Sequence, residues 1–182
     1  AAPSDDAQGE DRKRAAFYQD NAKRVEILSQ SSDMDAYLKA LEMEITLTSF
    51  DSIGRARIAQ LISKSNQFNL TTKRYSEAEV KALETDANYF TRQIRLKDSM
   101  GDNGMISVLI CKKAADIWTI DTWLMSCRVL GRKVEEAVLQ DLVRAAQSAG
   151  ASRLIGHYYP TSRNVIVKDH YKKLGFVQVS AT

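Results

Sequence analysis

The chain has 182 residues, enough for one domain with a helical extension and too few for a second large domain. With 44% apolar residues, 27% charged residues and only two prolines, its composition is that of a folded globular protein and excludes a disordered or fibrous one. The net charge of +3 comes from basic residues interspersed with acidic ones, which gives no support to a nucleic-acid-binding function.

The two cysteines, Cys111 and Cys127, are too few for a disulfide framework, and neither belongs to a CxxC or Cys/His cluster that would bind a metal. We therefore expect reduced thiols, a cytoplasmic protein and no metal. The longest apolar run, residues 117–130, is interrupted by charged residues, and the N-terminus is polar and acidic with no signal-like apolar region. The sequence thus predicts a protein that is neither exported nor membrane-spanning.

The first 31 residues differ in character from the rest. Residues 1–10 are small and acidic, which predicts a flexible lead-in, and residues 11–30 carry a weak helical stripe that predicts a charged linker helix. The domain proper is predicted at residues 32–182. Its first elements are predicted as a short helix through Leu41, a strand over Glu44–Phe50, a helix around Ile58–Ile62, and a helix from Ser76 to about Asp86 with Ser76 and Glu79 as a capping box.

From Tyr89 onward β-branched and aromatic residues dominate, which predicts strands. The sequence Gly-Asp-Asn-Gly at residues 101–104 predicts the turn of a hairpin. The predicted elements are strands at 89–97 and 105–113, a longest strand over Ile117–Cys127, an amphipathic helix after Gly131, a strand at 153–159, a helix at 163–173 and a strand at 176–179.

This order of elements resembles the GNAT acyltransferase fold. That fold is α/β, with a mixed, mostly antiparallel sheet flanked by helices. The resemblance implies that the long strand separates from its parallel neighbour near Arg128, and that the last strand of the fold is missing from this chain.

Basic residues crowd the predicted helix start after the long strand. A helix N-terminus carries partial positive charge, so cations there are unfavourable unless an anion binds. Its unpaired N–H groups, together with guanidinium groups, make a phosphate site, although a solvated basic turn would have the same sequence. The residues concerned are Arg128, Gly131, Arg132 and Lys133.

The segment 127–133, Cys-Arg-Val-Leu-Gly-Arg-Lys, resembles the GNAT pyrophosphate loop, whose pattern is Gln/Arg-x-x-Gly-x-Gly/Ala. Arg128 and Gly131 match that pattern. Lys133 stands where the pattern has a small residue and would obstruct the close approach of coenzyme A. The resemblance implies that the donor is coenzyme A or the phosphopantetheine of a carrier protein.

Asn164 and Tyr171 resemble a second landmark of the fold, in which an Asn and a helix Tyr flank the acyl thioester. The resemblance implies that Asn164 binds phosphopantetheine and that Tyr171 is the general acid for the departing thiolate. An aromatic side chain that only packs on the core is the alternative for Tyr171.

Longer runs, from about Glu10 to Phe176, resemble the C-terminal region of FkbH-like proteins. The runs are Asn66–Thr72, Arg74–Ser76, Gly101–Gly104, Trp123–Arg132, and Pro160–Thr161 with Asn164. Members of that family carry an N-terminal domain of the HAD superfamily and load a glyceryl unit from 1,3-bisphosphoglycerate onto an acyl carrier protein as a thioester. The resemblance implies glyceryl transfer in polyketide extender-unit or starter-unit biosynthesis, with an acyl carrier protein as partner.

The phosphoryl chemistry of that family is not predicted in this chain. A HAD domain needs an Asp nucleophile after an apolar strand in a D-x-D-x-T/V context, whereas the D-x-D at residues 33–35 lies in a helix cap. We therefore expect a HAD domain on the same or another polypeptide. Three functions stay open: glyceryl transfer to a carrier-protein thiol, non-catalytic docking of a carrier protein, and acetyl-CoA-dependent N-acetyl transfer.

Cys127 precedes the basic helix start, a setting that favours the thiolate and would allow transient acylation, whereas a small core residue is the alternative. His157 on the neighbouring predicted strand would approach it as a base. Asp121 and Trp123 share the predicted strand face of Cys127 by alternation and would line an acyl pocket, although Trp123 is equally suited to the core.

The run from Asn66 to Thr72 is rich in amide and hydroxyl groups. Such groups would bind a hydroxylated glyceryl chain, or in the alternative they would cap an ordinary helix–helix loop. The candidate substrate contacts in this run are Asn66, Gln67, Asn69 and Thr71.

Overall fold

The computed structural model describes residues 34–180, so the predicted lead-in and linker helix lie outside the described residues. The helices are α1 (Met34–Leu41), α2 (Arg55–Lys64), α3 (Glu77–Leu83), α4 (Val134–Ser148) and α5 (His170–Lys173), and the strands are β1 (Glu44–Thr48), β2 (Tyr89–Asp98), β3 (Gly101–Ala114), β4 (Ile117–Met125) and β5 (Arg153–Gly156). Short 3₁₀ turns lie at Cys127–Val129 and Val165–Val167. The described residues form two compact units, a smaller one from residues 34–44 and 96–104 and a larger one from residues 45–95 and 105–180.

The five strands form one sheet in the order β1-β2-β3-β4-β5. β3 and β4 pair antiparallel, whereas β4 and β5 pair parallel, because helix α4 returns the chain between them. This mixed, mostly antiparallel sheet with flanking helices confirms the predicted fold class.

The core of the larger unit forms where helices α2 and α3 cover strands β3 and β4. Helix α2 contributes Ile58, Leu61 and Ile62, which recur at helical spacing and therefore share one buried face. Helix α3 begins at the predicted capping box: Ser76 Oγ accepts from Glu79 N, and Glu79 Oε1 accepts from Ser76 N, both at 3.1 Å. The full cluster is Phe50, Ile58, Leu61, Ile62, Val80, Leu83, Met105, Val108, Ile110 and Leu124.

In the smaller unit, the hairpin turn lies two residues before the predicted position. Residues 99–100 make the turn, and Gly101–Gly104 belong to β3. The carboxylate of Asp98 accepts hydrogen bonds from the backbone N–H groups of Met100 at 2.9 Å and Gly101 at 3.0 Å. An Asp that caps its own turn in this way fixes the reversal before the Gly-Asp-Asn-Gly sequence begins.

Strand β4 is shorter than predicted and carries an irregularity. Ile110 faces Thr122, but Cys111 faces Ile120, so Asp121 is an extra, bulged residue. The strand ends at Met125, and β3, with 14 residues against 9, is the longest strand. The prediction of a longest strand reaching Cys127 is therefore wrong.

Ile120 and Gly156 form the last pair between β4 and β5. Beyond this pair, β4 and the chain that follows β5 separate, and we call the opening between them the fork. The parting comes at the bulge, well before Arg128, and residues 157–159 are not part of a strand. The predicted helix at 163–173 is two short pieces, and residues 176–179 form no strand. Val177 and Val179 are 82% and 77% exposed, so no neighbour covers the apolar side chains that a further strand would bury.

Candidate functional site

Three residues of the α2–α3 loop close the fork, and we call this segment, Phe68–Leu70, the strap. Its backbone pairs with β4: Leu70 N donates to Trp123 O at 3.1 Å, and Met125 N donates to Phe68 O at 3.0 Å. On its other side, Tyr159 N donates to Leu70 O at 2.8 Å. Asn69 and Leu70 are fully buried. The strap therefore pairs with the edge of β4 that no longer pairs with β5.

The buried side chain of Asn164 holds the strap in the fork. Its Nδ2 donates to the carbonyl oxygens of Asn69 and Tyr159, both at 3.0 Å, and its Oδ1 accepts from Thr161 N at 2.7 Å. The sequence predicts Asn164 as a phosphopantetheine contact. In this structure its amide hydrogens are used within the chain.

The other polar residues of this loop also bond within the chain. Asn69 Oδ1 accepts from Thr72 N at 3.0 Å, and Asn69 Nδ2 donates to Ser65 O at 3.1 Å. Thr71 Oγ1 donates to Asp121 O at 2.8 Å. This arrangement favours the loop-capping alternative for Asn69 and Thr71.

Asn66 and Gln67 lie at the surface end of the same loop. Asn66 Oδ1 accepts a hydrogen bond from Arg74, and the exposed Gln67 accepts one from the thiol of Cys127 at 3.3 Å. These two side chains are the members of the predicted substrate set that are placed to meet a molecule from solvent.

Cys127 lies in the 3₁₀ turn after β4, with its thiol exposed. It is therefore not the small core residue of the alternative interpretation. His157 is exposed as well, and its ring stacks on Tyr159 with centroids 5.8 Å apart. Within residues 34–180, no hydrogen bond joins His157 to Cys127, because β5 ends at Gly156 and does not carry His157 alongside β4.

Beneath the strap lies a cluster of aromatic rings. The ring of His170 packs edge-on against those of Trp123 and Phe68, with ring centroids 4.4 Å and 5.2 Å apart. The ring centroid of Tyr171 lies 5.1 Å from that of His170. Trp123 Nε1, His170 Nε2 and Tyr171 Oη are all buried without a hydrogen-bond partner. Burial lowers the pKa of His170 to about 4 and raises that of Tyr171. At neutral pH the cluster therefore holds a neutral imidazole and a protonated phenol.

Tyr171 reaches the apex of the fork. A Cβ on Gly156, the last residue of β5, would lie 2.5 Å from two ring carbons of Tyr171. Only glycine therefore allows the ring to cross the strand end at this point. Sequence analysis assigned a role to Tyr171 but none to His170 or Gly156, since a four-residue helix gives no periodicity that would reveal a buried face.

The bulged residue Asp121 heads a polar cluster on the strap side of β4. Its carboxylate accepts hydrogen bonds from Lys73, Tyr75 and Thr122. Burial alone would raise the pKa of Asp121, but the hydrogen bonds from Lys73 and Tyr75 outweigh it and lower that pKa. Trp123 contacts the rings of His170 and Tyr171, and the register shift at the bulge interrupts the alternation on which the predicted acyl pocket of Asp121, Trp123 and Cys127 rests. That pocket stays a prediction.

The loop before α4 contains two residues with left-handed backbone conformation, Gly131 and Lys133. Lys133 caps α4 with φ 57° and makes no side-chain capping hydrogen bond, and Gly131 has φ 79°. Arg132 is 5% exposed, and its guanidinium lies 3.5 Å from the carbonyl of Arg128. Arg128 donates from Nε to Ser126 Oγ at 3.1 Å.

Charges of both signs surround this loop. Glu135 and Glu136 occupy the first turn of α4, where carboxylates complement the helix dipole. Partial burial lowers the pKa of Arg57, and the positive charges of Arg128 and Arg95 lower it further, so Arg57 lies within electrostatic range of both. Arg57 lies on α2 and Arg95 on β2, so local sequence spacing does not reveal that either is near Arg128.

The chain is similar in fold to solved structures of N-acetyltransferases. The ribosomal-protein-S18-alanine N-acetyltransferase of Escherichia coli is 16% identical, with 75% of this chain and 80% of that chain covered and a TM-score of 0.56. AAC(6')-Iy, in complex with the bisubstrate analogue CoA-S-monomethyl-acetylneamine, is 10% identical, with 76% of this chain and 95% of that chain covered and a TM-score of 0.59. The aminoglycoside 6'-N-acetyltransferase AAC(6')-Ih of Acinetobacter baumannii is 9% identical, with 76% of this chain and 95% of that chain covered and a TM-score of 0.58.

The fold is therefore that of the GNAT N-acetyltransferases, and at these identities the likeness establishes the fold alone. No protein-family model and no curated protein matches the chain. The glyceryl-loading part of the FkbH-like resemblance and its HAD partner receive no support from the comparisons. Within residues 34–180, no helix is long and apolar enough to cross a membrane, and no group of three or more His, Cys, Asp or Glu residues is arranged to hold a metal ion.

Proposed function

We propose that the chain is an acyltransferase whose donor substrate is an acyl thioester of phosphopantetheine, with acetyl-CoA as the donor and an amine as the acceptor. The observation that carries the proposal is the fork: β4 parts from β5 after Ile120 and leads directly into the basic start of α4. Support comes from the three solved structures compared above, which are N-acetyltransferases, one of them in complex with a bisubstrate analogue that contains coenzyme A.

The basic loop is the proposed contact for the donor's phosphates. The first backbone N–H groups of a helix have no acceptor within the helix, so the start of α4 is suited to bind an anion. Arg128, Gly131, Arg132 and Lys133 are assigned to this contact, with Arg57 adding charge next to Arg128. The carboxylates of Glu135 and Glu136 compete for the same N–H groups, so we expect moderate affinity for phosphate alone.

The fork in its described conformation does not fit the amide-bearing arm of such a donor. Trp123 O and Met125 N, the edge groups that an extended chain would pair with, are bonded to Leu70 N and Phe68 O. Asn164, the proposed contact for the arm, is bonded to Asn69 O. In this conformation the strap takes the place that the arm would occupy.

Tyr171 is the proposed proton donor for the thiolate that leaves when the amine attacks the thioester carbonyl. Burial raises the pKa of its hydroxyl, so the group stays protonated at neutral pH and has a proton to give. Asp121 is proposed to orient the acceptor through Lys73, whose ammonium it holds at the fork. Cys127 and His157 are not needed for direct transfer from thioester to amine.

Glyceryl transfer to an acyl carrier protein is a second, finer proposal. The exposed thiol of Cys127, hydrogen-bonded to Gln67, would carry the glyceryl group between donor and carrier, with a HAD domain supplying the activated glyceryl unit. The cationic group of Arg57, Arg95 and Arg128 suits an acidic carrier protein. A non-catalytic docking module would use the same cations with the strap permanently closed.

One experiment separates the three functions. The chain is titrated calorimetrically with coenzyme A and with phosphopantetheinylated carrier protein, then incubated with acetyl-CoA and an amine panel, or with glyceryl carrier protein, for mass spectrometry. We expect coenzyme A binding and an acetylated amine. A glyceryl adduct on Cys127 that is lost in Cys127→Ser would instead support carrier-protein transfer, and carrier binding without any transfer would support docking alone.

A further inference from the structure

We infer that the strap, Phe68–Leu70, is an internal competitor that must leave the edge of β4 before the amide-bearing arm of the donor can bind there. The inference rests on the proposed function and adds a regulatory contact to it. Its ligand is an extended chain with amide groups, namely the pantetheine arm.

The strap binds β4 as an added strand would. Leu70 N and Phe68 O satisfy Trp123 O and Met125 N, and Asn69 lies opposite Leu124 as an isolated antiparallel bridge. An extended ligand with one amide N–H and one carbonyl at strand spacing would make the same two bonds. Strap and arm therefore exclude each other, because both require the same donor and the same acceptor.

The closed state leaves polar groups unsatisfied beneath the strap. Phe68 covers His170, and within this cluster Trp123 Nε1, His170 Nε2 and Tyr171 Oη have no partner. Buried polar groups in folded proteins nearly always find partners, so three adjoining exceptions indicate a place where another molecule belongs. A thioester or acyl oxygen entering under a displaced Phe68 would supply the acceptor that Trp123 and Tyr171 lack.

Competition between the strap and the donor predicts the direction in which a substitution in the strap changes donor affinity. If the closed form predominates, the apparent donor affinity is the affinity of the open form reduced by the open fraction. A substitution that weakens the strap should therefore tighten donor binding, although it removes native contacts. A strap that is merely part of the core would give no such gain.

A reversible crosslink tests this directly. In the bonding pattern of the strap, Asn69 and Leu124 form the non-hydrogen-bonded type of antiparallel pair, whose Cα atoms are about 4.5 Å apart, within disulfide range. The full chain carrying Asn69→Cys, Leu124→Cys and Cys127→Ser is titrated with coenzyme A when oxidised and again after reduction. We expect at least about tenfold weaker binding when oxidised. Equal affinities in the two states would overturn the inference.

A second pair of variants does not depend on the crosslink. Phe68→Ala removes the apolar anchor of the strap, and Phe50→Ala removes an equally buried Phe from the helix-covered core. We expect Phe68→Ala to bind coenzyme A about tenfold more tightly than the unmodified chain and Phe50→Ala to bind it unchanged. If Phe68→Ala does not fold, Phe68→Leu serves with a smaller gain. No gain in the folded variant would contradict the strap's role.

Hydrogen exchange distinguishes failure of the strap from failure of the proposed function. The amides of Leu70 and Tyr159 should exchange by local opening, faster than that of Leu142 inside α4. If all three exchange at one rate, the strap is fixed and the inference is wrong even where coenzyme A binds. If the strap opens but coenzyme A binds neither to the unmodified chain nor to Phe68→Ala, the proposed donor is wrong, and the strap then does not compete with it.

Discussion

Asn164 Nδ2 lies 3.0 Å from the carbonyl oxygen of Asn69, a residue 95 positions earlier in the chain. Because the same nitrogen also donates to Tyr159 O at 3.0 Å, one amide joins the strap to the chain that follows β5. The fork is thus closed by a single buried side chain as well as by backbone pairing.

Replacing Asn164 by Ala should lower the free energy of unfolding by about 3 kcal/mol, since it leaves the buried carbonyl oxygen of Asn69 without a partner and also removes the part-buried bonds to Tyr159 O and Thr161 N. Urea unfolding measures the change. Asn88→Ala, at an exposed position whose side chain makes no such bonds, should cost less than about 0.5 kcal/mol. Similar losses in the two variants would mean that Asn164 does not clamp the fork.

The elements that the sequence predicted well are those decided by neighbours in the chain. The capping box of Ser76 and Glu79 and the buried stripe of Ile58, Leu61 and Ile62 need only local spacing. The hairpin turn was missed by two residues because the side chain of Asp98 fixes the reversal earlier than the glycines do.

The strap could not have been predicted in the same way. Its pairing joins Leu70 to Trp123 and Tyr159, and no local pattern in a loop of Asn, Thr and Leu reveals a partner so far along the chain. The bulge at Asp121 has the same character, because it appears only in the register between β3 and β4. Burial of His170 depends on Phe68 and Trp123 meeting there, which follows from the strap.

Gly156→Ala tests the close approach of Tyr171 to the strand end. The added methyl group would lie 2.5 Å from the ring, so the ring must move, and we expect a loss of about 1–3 kcal/mol in stability. In a Tyr171→Leu background the same substitution should cost clearly less. A double-mutant cycle by urea unfolding measures the coupling, and additive losses would mean that the ring is not what the methyl group meets.

His170 should make the stability fall as the pH is lowered. Its pKa is about 4 in the folded chain against 6.5 when unfolded, so the unfolded chain binds the proton first. The stabilisation is therefore complete above pH 6.5 and decreases progressively down to about pH 4, by about 3 kcal/mol in all. Unfolding curves at several pH values should show this slope in the unmodified chain and in His157→Gln, and a clearly smaller one in His170→Phe, where only carboxylates with lowered pKa such as Asp121 still contribute. An unchanged slope in His170→Phe would assign it to other groups.

Arg128→Ala should separate ligand binding from stability at the basic loop. We expect the affinity for coenzyme A or phosphopantetheine to fall by about 1.5–3 kcal/mol, the range for hydrogen bonds to charged groups. The melting temperature without ligand should rise slightly, since the positive charge of Arg128 repels that of Arg57. Calorimetry and thermal melts measure the two effects, with Arg144→Ala on the exposed face of α4 as the control. If neither quantity changes, the loop is only a solvated basic turn.

Tyr171→Phe should move stability and activity in opposite directions. The hydroxyl of Tyr171 is buried without a partner in the described structure, so removing it abolishes an uncompensated desolvation cost while the ring still packs over Gly156. We expect stability that is unchanged or higher by up to about 1 kcal/mol in urea unfolding.

The same variant should lose catalysis if the phenol protonates the leaving thiolate, because positioned proton donors contribute about 10²- to 10⁴-fold. The expected result is a kcat lower by at least about 100-fold with the KM for acetyl-CoA little changed, since the ring that shapes the site is retained. Tyr159→Phe, which removes an exposed hydroxyl beside the fork, is the matched control and should retain kcat. A Tyr171→Phe enzyme with full kcat would show that Tyr171 only packs on the core, and the proton would then have to come from another group or from water.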